Sequence, residues 1–163
     1  MIPIFIPTRG RLLNQVTWES IGDEGRDWAN LVCPEEEVKS HESLGRSTIS
    51  RGDIQGINNV RNFIVEYAHN KGMEKIIILD DDLIFGTRLH HSSPSLRKTK
   101  QIEMVVLWEQ MEDLLEKFVH VGVSPRQMND KHFPHRKKFC MRQNAVHGIK
   151  PSVLIDEEIY YNE

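Results

Sequence analysis

Near the middle of the chain, Lys75-Ile76-Ile77-Ile78-Leu79 runs straight into Asp80-Asp81-Asp82. A short, apolar, β-branched run with no 3.6-residue period reads as a strand, and this strand delivers three carboxylates at its end. Adjacent carboxylates repel one another unless water, hydrogen bonds or a cation compensates. In an open α/β sheet, ligands gather beyond the carboxyl ends of the parallel strands. Asp80 and Asp82 are two residues apart, so an extended backbone would aim both to the same side. Together they are placed to hold a hard ion, Mg²⁺ or Mn²⁺, between themselves and a diphosphate.

The chain before the triplet supplies partners for that strand. Ile2-Pro3-Ile4-Phe5-Ile6-Pro7 has the look of a buried parallel strand, with Pro7 ending it and Thr8-Arg9-Gly10-Arg11 as the following loop. A helix is expected over residues 12–21 and a second strand over residues 28–34, closed by Pro34. Glu35-Glu36-Glu37-Val38 resembles the acidic first turn of a short helix. Residues 40–55 are polar and unpatterned, and read as a loop. Residues 56–72 give the clearest helix: Ile57, Val60, Ile64, Tyr67 and Ala68 form one apolar stripe, and Asn70 and Gly72 supply the stop. Two strand–helix–strand passages in this order predict an α/β fold with a mostly parallel sheet and right-handed crossovers.

The second half is less patterned. Residues 83–100 read as a polar, basic loop, residues 101–119 as a helix, and 120–125 as a short strand and turn. Residues 128–138 read as a further loop, with late strands expected over 139–149 and 153–155. Charge divides along the same line. Residues 83–142 carry 11 Lys/Arg against 6 Asp/Glu, an excess of +5, while the remainder has 10 against 18, or −8, giving the net −3. A basic segment on an acidic frame suits a polyanionic acceptor or phosphates, though solvated loops would look the same. His90-His91 and Arg136-Lys137-Lys138 are the candidate phosphate contacts. His132, His135 and Cys140 offer only three irregularly spaced zinc ligands, a weak motif.

No apolar run approaches the ~18 residues of a membrane helix, and residues 1–7 lack the basic start and cleavage site of a secretory signal. Cys33 and Cys140 form no Cys-x-x-Cys pair, so free thiols in a reducing compartment, the cytoplasm, are expected.

Gly56-Ile57-Asn58-Asn59-Val60-Arg61-Asn62 followed by Ile-Ile-Ile-Leu-Asp-Asp-Asp resembles the GT-A glycosyltransferases, in which a Gly-x-x-x-Ala/Val-Arg-Asn helix leads into a strand ending in Asp-x-Asp. The opening Ile-Pro-Thr-Arg-Gly-Arg is similar to that family's first strand and donor-nucleotide loop. Residues 122–127 and 143–148 resemble, more narrowly, the phage TET/JBP-associated glycosyltransferases, which act on hydroxymethylated DNA bases. The resemblance implies a single GT-A-like domain over 1–163, with residues 1–85 as the nucleotide-sugar half and 86–163 as the acceptor half. It implies a UDP-sugar donor, Mn²⁺ or Mg²⁺ as cofactor, a DNA acceptor and, for a phage protein, the host cytoplasm.

Carried over by position, Pro7, Thr8, Arg9, Arg61, Asp80 and Asp81 would bind the donor, and Asp82 with Asp80 would hold the metal. Arg126, Gln127 and His147 would contact the acceptor or phosphate. The family's later catalytic acid has no match; Asp156-Glu157-Glu158 does not reproduce the pattern, so the catalytic base is unassigned. The chain is short for a GT-A domain, so a minimal enzyme and a fragment that binds donor without transferring are both open. Two rivals use the same residues differently. A divalent-metal nuclease or phosphoryl-transfer enzyme would use the triplet, and a non-enzymatic nucleic-acid-binding module would use the basic loops.

Overall fold

Alternation of side chains along the apolar runs decides which helix packs on which face. In β1 (Ile4–Pro7), Ile4 and Ile6 face one layer and Phe5 the other; in β4 (Ile76–Leu79), Ile77 and Leu79 join the first and Ile76 and Ile78 the second. Every residue of both strands is buried, as a central parallel strand requires. The computed structural model describes residues 2–88, 96–123 and 146–161. Among these, six strands form the central sheet in the order β3-β2-β1-β4-β8-β7.

Four strands are parallel. β2 (Ala29–Cys33) pairs with β1 in the register Ile4↔Ala29 to Pro7↔Val32, and β3 (Thr48–Ser50) lies outside it. β1 pairs with β4 through Ile4↔Ile77 and Phe5↔Ile78. Pro7 lies beyond the last of these pairs, so its missing N–H takes no hydrogen bond out of the β1–β4 ladder. β8 (Val146–Ile149) then runs antiparallel to β4, and β7 (His120–Gly122) antiparallel to β8. The mostly parallel α/β sheet expected from the sequence is therefore present, with an antiparallel flank.

One apolar layer collects Trp18 and Ile21 from α1 (Val16–Ser20) and its C-terminal cap. Met104, Trp108, Met111 and Leu115 from α5 (Gln101–Lys117) pack there too, behind α2 (Gly22–Asp27). The other layer holds Val60, Ile64, Val65 and Ala68 of α4 (Ile57–Asn70) and Leu154 of α6 (Pro151–Asp156). Gly148 of β8 is required by the first layer: a Cβ there would lie 2.7 Å from Val121 Cγ2 and 3.0 Å from Met111 Cε.

Several local expectations are corrected. The helix expected over 12–21 is only α1, and a second helix, α2, begins at Gly22, which has a φ of 77°. Trp28 is the cap of α2 rather than a strand residue. Residues 40–55 are not all loop, because α3 (Glu35–Glu42) extends into them and β3 lies within them. Residues 83–100 include β5 (Gly86–Arg88) and β6 (Leu96–Lys98), an antiparallel pair. Residues 153–155 are helical, not a strand, since Pro151 at the first helical position fixes the φ from which α6 starts.

Candidate functional site

β4 stops at Leu79, and the backbone turns through Asp81 and Asp82 instead of staying extended. The expectation that Asp80 and Asp82 share a side through an extended backbone therefore does not hold. Each carboxylate has its own partner instead. Arg61 Nη2 on α4 donates to Asp80 Oδ1 at 2.6 Å. Thr8 Oγ1 donates to Asp81 Oδ2 at 2.9 Å, and Arg11 Nε lies 3.2 Å from the same oxygen. Asp82 meets Arg11 Nη2 only at 3.7 Å, and its side chain is 59% exposed.

Among the described residues, three carboxylates thus face two guanidinium groups, and one negative charge is left over. Burial pushes the Asp80 carboxyl above the usual carboxylate range; Arg61 opposes this, and Asp82 and Asp81 reinforce it. Such a turn gains from a further cation.

The loop after β1 is fixed before any ligand arrives. Gln15 Nε2 donates to Thr8 Oγ1 at 2.7 Å, which leaves the hydroxyl's own proton for Asp81. Arg9 Nη1 donates to Gln55 Oε1 at 2.7 Å, and Gly10 N donates to the Glu37 carboxylate at 2.9 and 3.0 Å. Gly10 takes a φ of 68°, which a side chain would resist. Behind the acidic turn, Thr17 Oγ1 donates to Asp80 O at 2.5 Å and accepts from Leu83 N at 2.7 Å. Thr17 N donates to Asp81 O at 3.3 Å and Ser20 Oγ to Leu83 O at 2.8 Å, so α1 clasps the whole turn.

The residues picked from sequence are thereby brought together in large part. Pro7 and Thr8 are buried at the end of β1, and Arg9 is exposed beside Gln55. Arg61 on α4 pairs with Asp80 at the end of β4. Arg126 and Gln127 lie outside the described residues, as do His90, His91, His132, His135, Cys140 and the run 136–138. His147 is buried on β8, its ring stacked 5.3 Å from that of His120 with Nδ1 3.2 Å from His120 Nε2. Its edge meets Tyr161, whose ring in turn lies 5.6 Å from the Arg61 guanidinium carbon. Sequence reasoning missed Gln15, Thr17, Glu37 and Tyr161. Thr17 and Gln15 did leave a signal, being polar side chains beside Trp18 and Ile21 in a short segment that buries its apolar face.

Among the described residues, no three His, Cys, Asp or Glu side chains gather into a closed metal site. Open carboxylates at a strand end are what Mg²⁺ or Mn²⁺ uses when substrate phosphates and water complete its shell. Asp82, with its exposed carboxylate, and Asp80, which Arg61 meets at Oδ1, fit that pattern. No helix among the described residues is long and apolar enough to cross a membrane.

The chain matches the TET-associated glycosyltransferase family over residues 2–157. None of the curated proteins matches it by sequence. Among solved structures it resembles a cytidylyltransferase from Leptospira borgpetersenii serovar Hardjo-bovis (strain JB197). The TM-score is 0.52 at 12% identity, over 97% of this chain and 64% of the other. It also resembles a mannose-1-phosphate geranyltransferase from Thermus thermophilus, with a TM-score of 0.52 at 10% identity, over 95% of this chain and 58% of the other. At these identities the likeness is one of fold. The chain spans about three fifths of the length of either structure.

Proposed function

Because this chain belongs to the TET-associated glycosyltransferase family, we propose that it transfers a sugar from a UDP-sugar to a hydroxymethylated base of DNA, with Mn²⁺ or Mg²⁺. The observation that carries the reading is the acidic turn at the carboxyl end of β4, held against the loop after β1 by Thr8 and Arg11, with Arg61 beside Asp80. A nucleotide-sugar presents a ribose with two hydroxyls and a diphosphate with two negative charges. Asp80 and Asp81 supply acceptors, and Arg9, Arg11 and Arg61 supply fixed positive charge where the departing diphosphate gains negative charge.

Asp82 and Asp80 would hold the ion. When bound, it supplies Lewis-acid stabilisation of the leaving nucleoside diphosphate. The pinned loop contributes orientation: its partners are already in place, so little ordering is needed when donor binds. The basic stretch 83–142 suits the chemistry of a polyanionic acceptor, and a base in a duplex would have to leave its stack to reach the sugar.

The test is thermal unfolding with a panel of nucleoside diphosphates and nucleotide-sugars, with and without Mn²⁺, for the native chain and Asp82→Asn. A ligand bound only by the folded state stabilises by RT ln(1 + [L]/Kd), about 2.7 kcal/mol at a hundredfold excess over Kd. A uridine-nucleotide shift that needs Mn²⁺ and vanishes in Asp82→Asn is expected. No shift with any nucleotide would sink the donor site. Mg²⁺-dependent cleavage of DNA without nucleotide-sugar would favour the nuclease reading.

A further inference from the structure

We infer that Tyr161 is a positioning residue of this site: the segment after α6 folds back onto α4 and holds the Arg61 guanidinium against Asp80. The inference deepens the donor-site reading above and rests on it for its functional consequence.

The fold-back begins at the end of α6. Glu158 N donates to Ile155 O at 3.1 Å and Ile159 N to Leu154 O at 2.8 Å, the paired bonds of a left-handed helix stop. Glu158 takes a φ of 53°, the positive-φ position where such a stop ordinarily has glycine. The chain leaves this turn toward α4, where the Asn62 amide grips Tyr161 from both sides. Asn62 Nδ2 donates to Tyr161 O at 3.1 Å, and Tyr161 N donates to Asn62 Oδ1 at 2.8 Å. A side-chain amide has both groups in one plane, so this bracket fixes the backbone of Tyr161 and not merely its distance.

Asn62 is the neighbour of Arg61, and the bracket therefore sets the Tyr161 ring beside that guanidinium, 5.6 Å from centroid to carbon. Burial pushes the phenol up to about 12, so the ring stays neutral and offers its electron-rich face to the cation. Arg61 Nε is sealed from solvent and the residue is 9% exposed, while its far end reaches Asp80 at 2.6 Å. The His147 ring packs on the same tyrosine, the two ring planes at 85° and their centroids 5.5 Å apart. A long side chain with several rotatable bonds is thus held between the Tyr161 ring and the Asp80 carboxylate.

The test uses the full chain as Tyr161→Phe, Tyr161→Leu, Arg61→Ala and the Tyr161→Leu/Arg61→Ala pair, with two readouts. The first needs no ligand: solvent exchange of the Arg61 Nε proton, followed by ¹⁵N NMR. Tyr161→Phe should match the native chain, because the ring remains, and Tyr161→Leu should exchange about tenfold faster as the pose loosens. Equal rates in Tyr161→Leu and the native chain would overturn the inference. The second readout is calorimetric affinity for UDP with Mn²⁺. Tyr161→Leu should weaken it about tenfold, Tyr161→Phe should restore it, and adding Tyr161→Leu to Arg61→Ala should cost nothing more. Additive losses in the pair would mean that Tyr161 acts apart from Arg61, and would also overturn it. If the native chain binds no nucleotide, the donor reading fails by itself, and the exchange rates still decide whether Tyr161 positions Arg61. Should Tyr161→Leu not fold, Asn62→Ala releases the same bracket and is read by the same two measurements.

Discussion

Thr17 spends its one hydroxyl twice on the acidic turn, donating to Asp80 O and accepting from Leu83 N, in a site with no exposure at all. Valine has the same shape but no hydroxyl, so Thr17→Val would strand a backbone carbonyl and a backbone N–H. The expected cost is about 1–3 kcal/mol, measured by urea unfolding, with Thr17→Ser recovering most of it. A Thr17→Val chain as stable as the native one would show that water can replace the clasp. At this scale the sequence was informative for the acids and blind to what holds them. The triplet announces itself by adjacency, and Arg61 by its place in the Arg-Asn pattern. The grip of Asn62 on Tyr161 spans 99 residues, and nothing in local spacing reports a contact so distant. Arg9 and Arg11 look equivalent in sequence, yet one binds Gln55 and the other Asp81, because the φ of Gly10 turns the loop between them.

Among the elements, the hairpin of β5 and β6 depends on the start of α5, and the dependence runs through Glu103. Its carboxylate accepts from Lys100 N at 2.8 Å, satisfying a free donor at the helix start, and from Thr87 Oγ1 at 3.2 Å. It also pairs with Arg97 through both oxygens. The hydrogen bond from Arg97, then that from Lys100, hold the carboxyl at about 2, below its ordinary value of 4.5. A depressed carboxylate contributes stability that is complete above its unfolded-state value and is lost as pH falls through the folded one. The hairpin should therefore hold at pH 5 and loosen between about 4.5 and about 2. The amide signals of Thr87 and Arg97 followed by NMR across that range would check it, and Glu103→Gln should already show the loosened state at pH 7. Unchanged signals down to pH 2 would remove Glu103 as the tie. This hairpin was read as loop because its strands are three residues each, too short to show a period of two. α3 was partly missed for a related reason: its buried member is His41, whose polar side chain hides the helix from a search for apolar stripes.

The whole molecule divides where its sequence does. Of the parallel strands, β1 and β4 were legible because strands buried on both faces must be apolar at every position, whereas β3, a half-buried Thr48-Ile49-Ser50, was read as loop. The antiparallel flank of β8 and β7 was harder, since β8 carries His147 and Gly148 at buried positions and its pattern looks polar. Charge follows the same division, with −8 outside residues 83–142 and +5 within them. The acidic frame holds the turn that would take a cation and a donor, while the basic stretch would meet an acceptor. Those two roles predict different responses to salt. If up to five phosphates of DNA are neutralised by the basic excess, log K should fall with log[salt] at a slope of about −4, a loss of a few hundredfold between 50 and 200 mM. Binding of UDP with Mn²⁺ at a partly enclosed strand end should change much less over that range, since partly buried charge pairs are weakly screened. Fluorescence anisotropy with a hydroxymethylated duplex, run beside calorimetry with the nucleotide, separates the two. Asp82→Asn should abolish the nucleotide signal and leave the DNA slope alone. A flat DNA response would remove DNA as the acceptor while leaving the donor site standing. A DNA slope that vanished with Asp82→Asn would mean that one surface serves both ligands, against the division of charge along the chain.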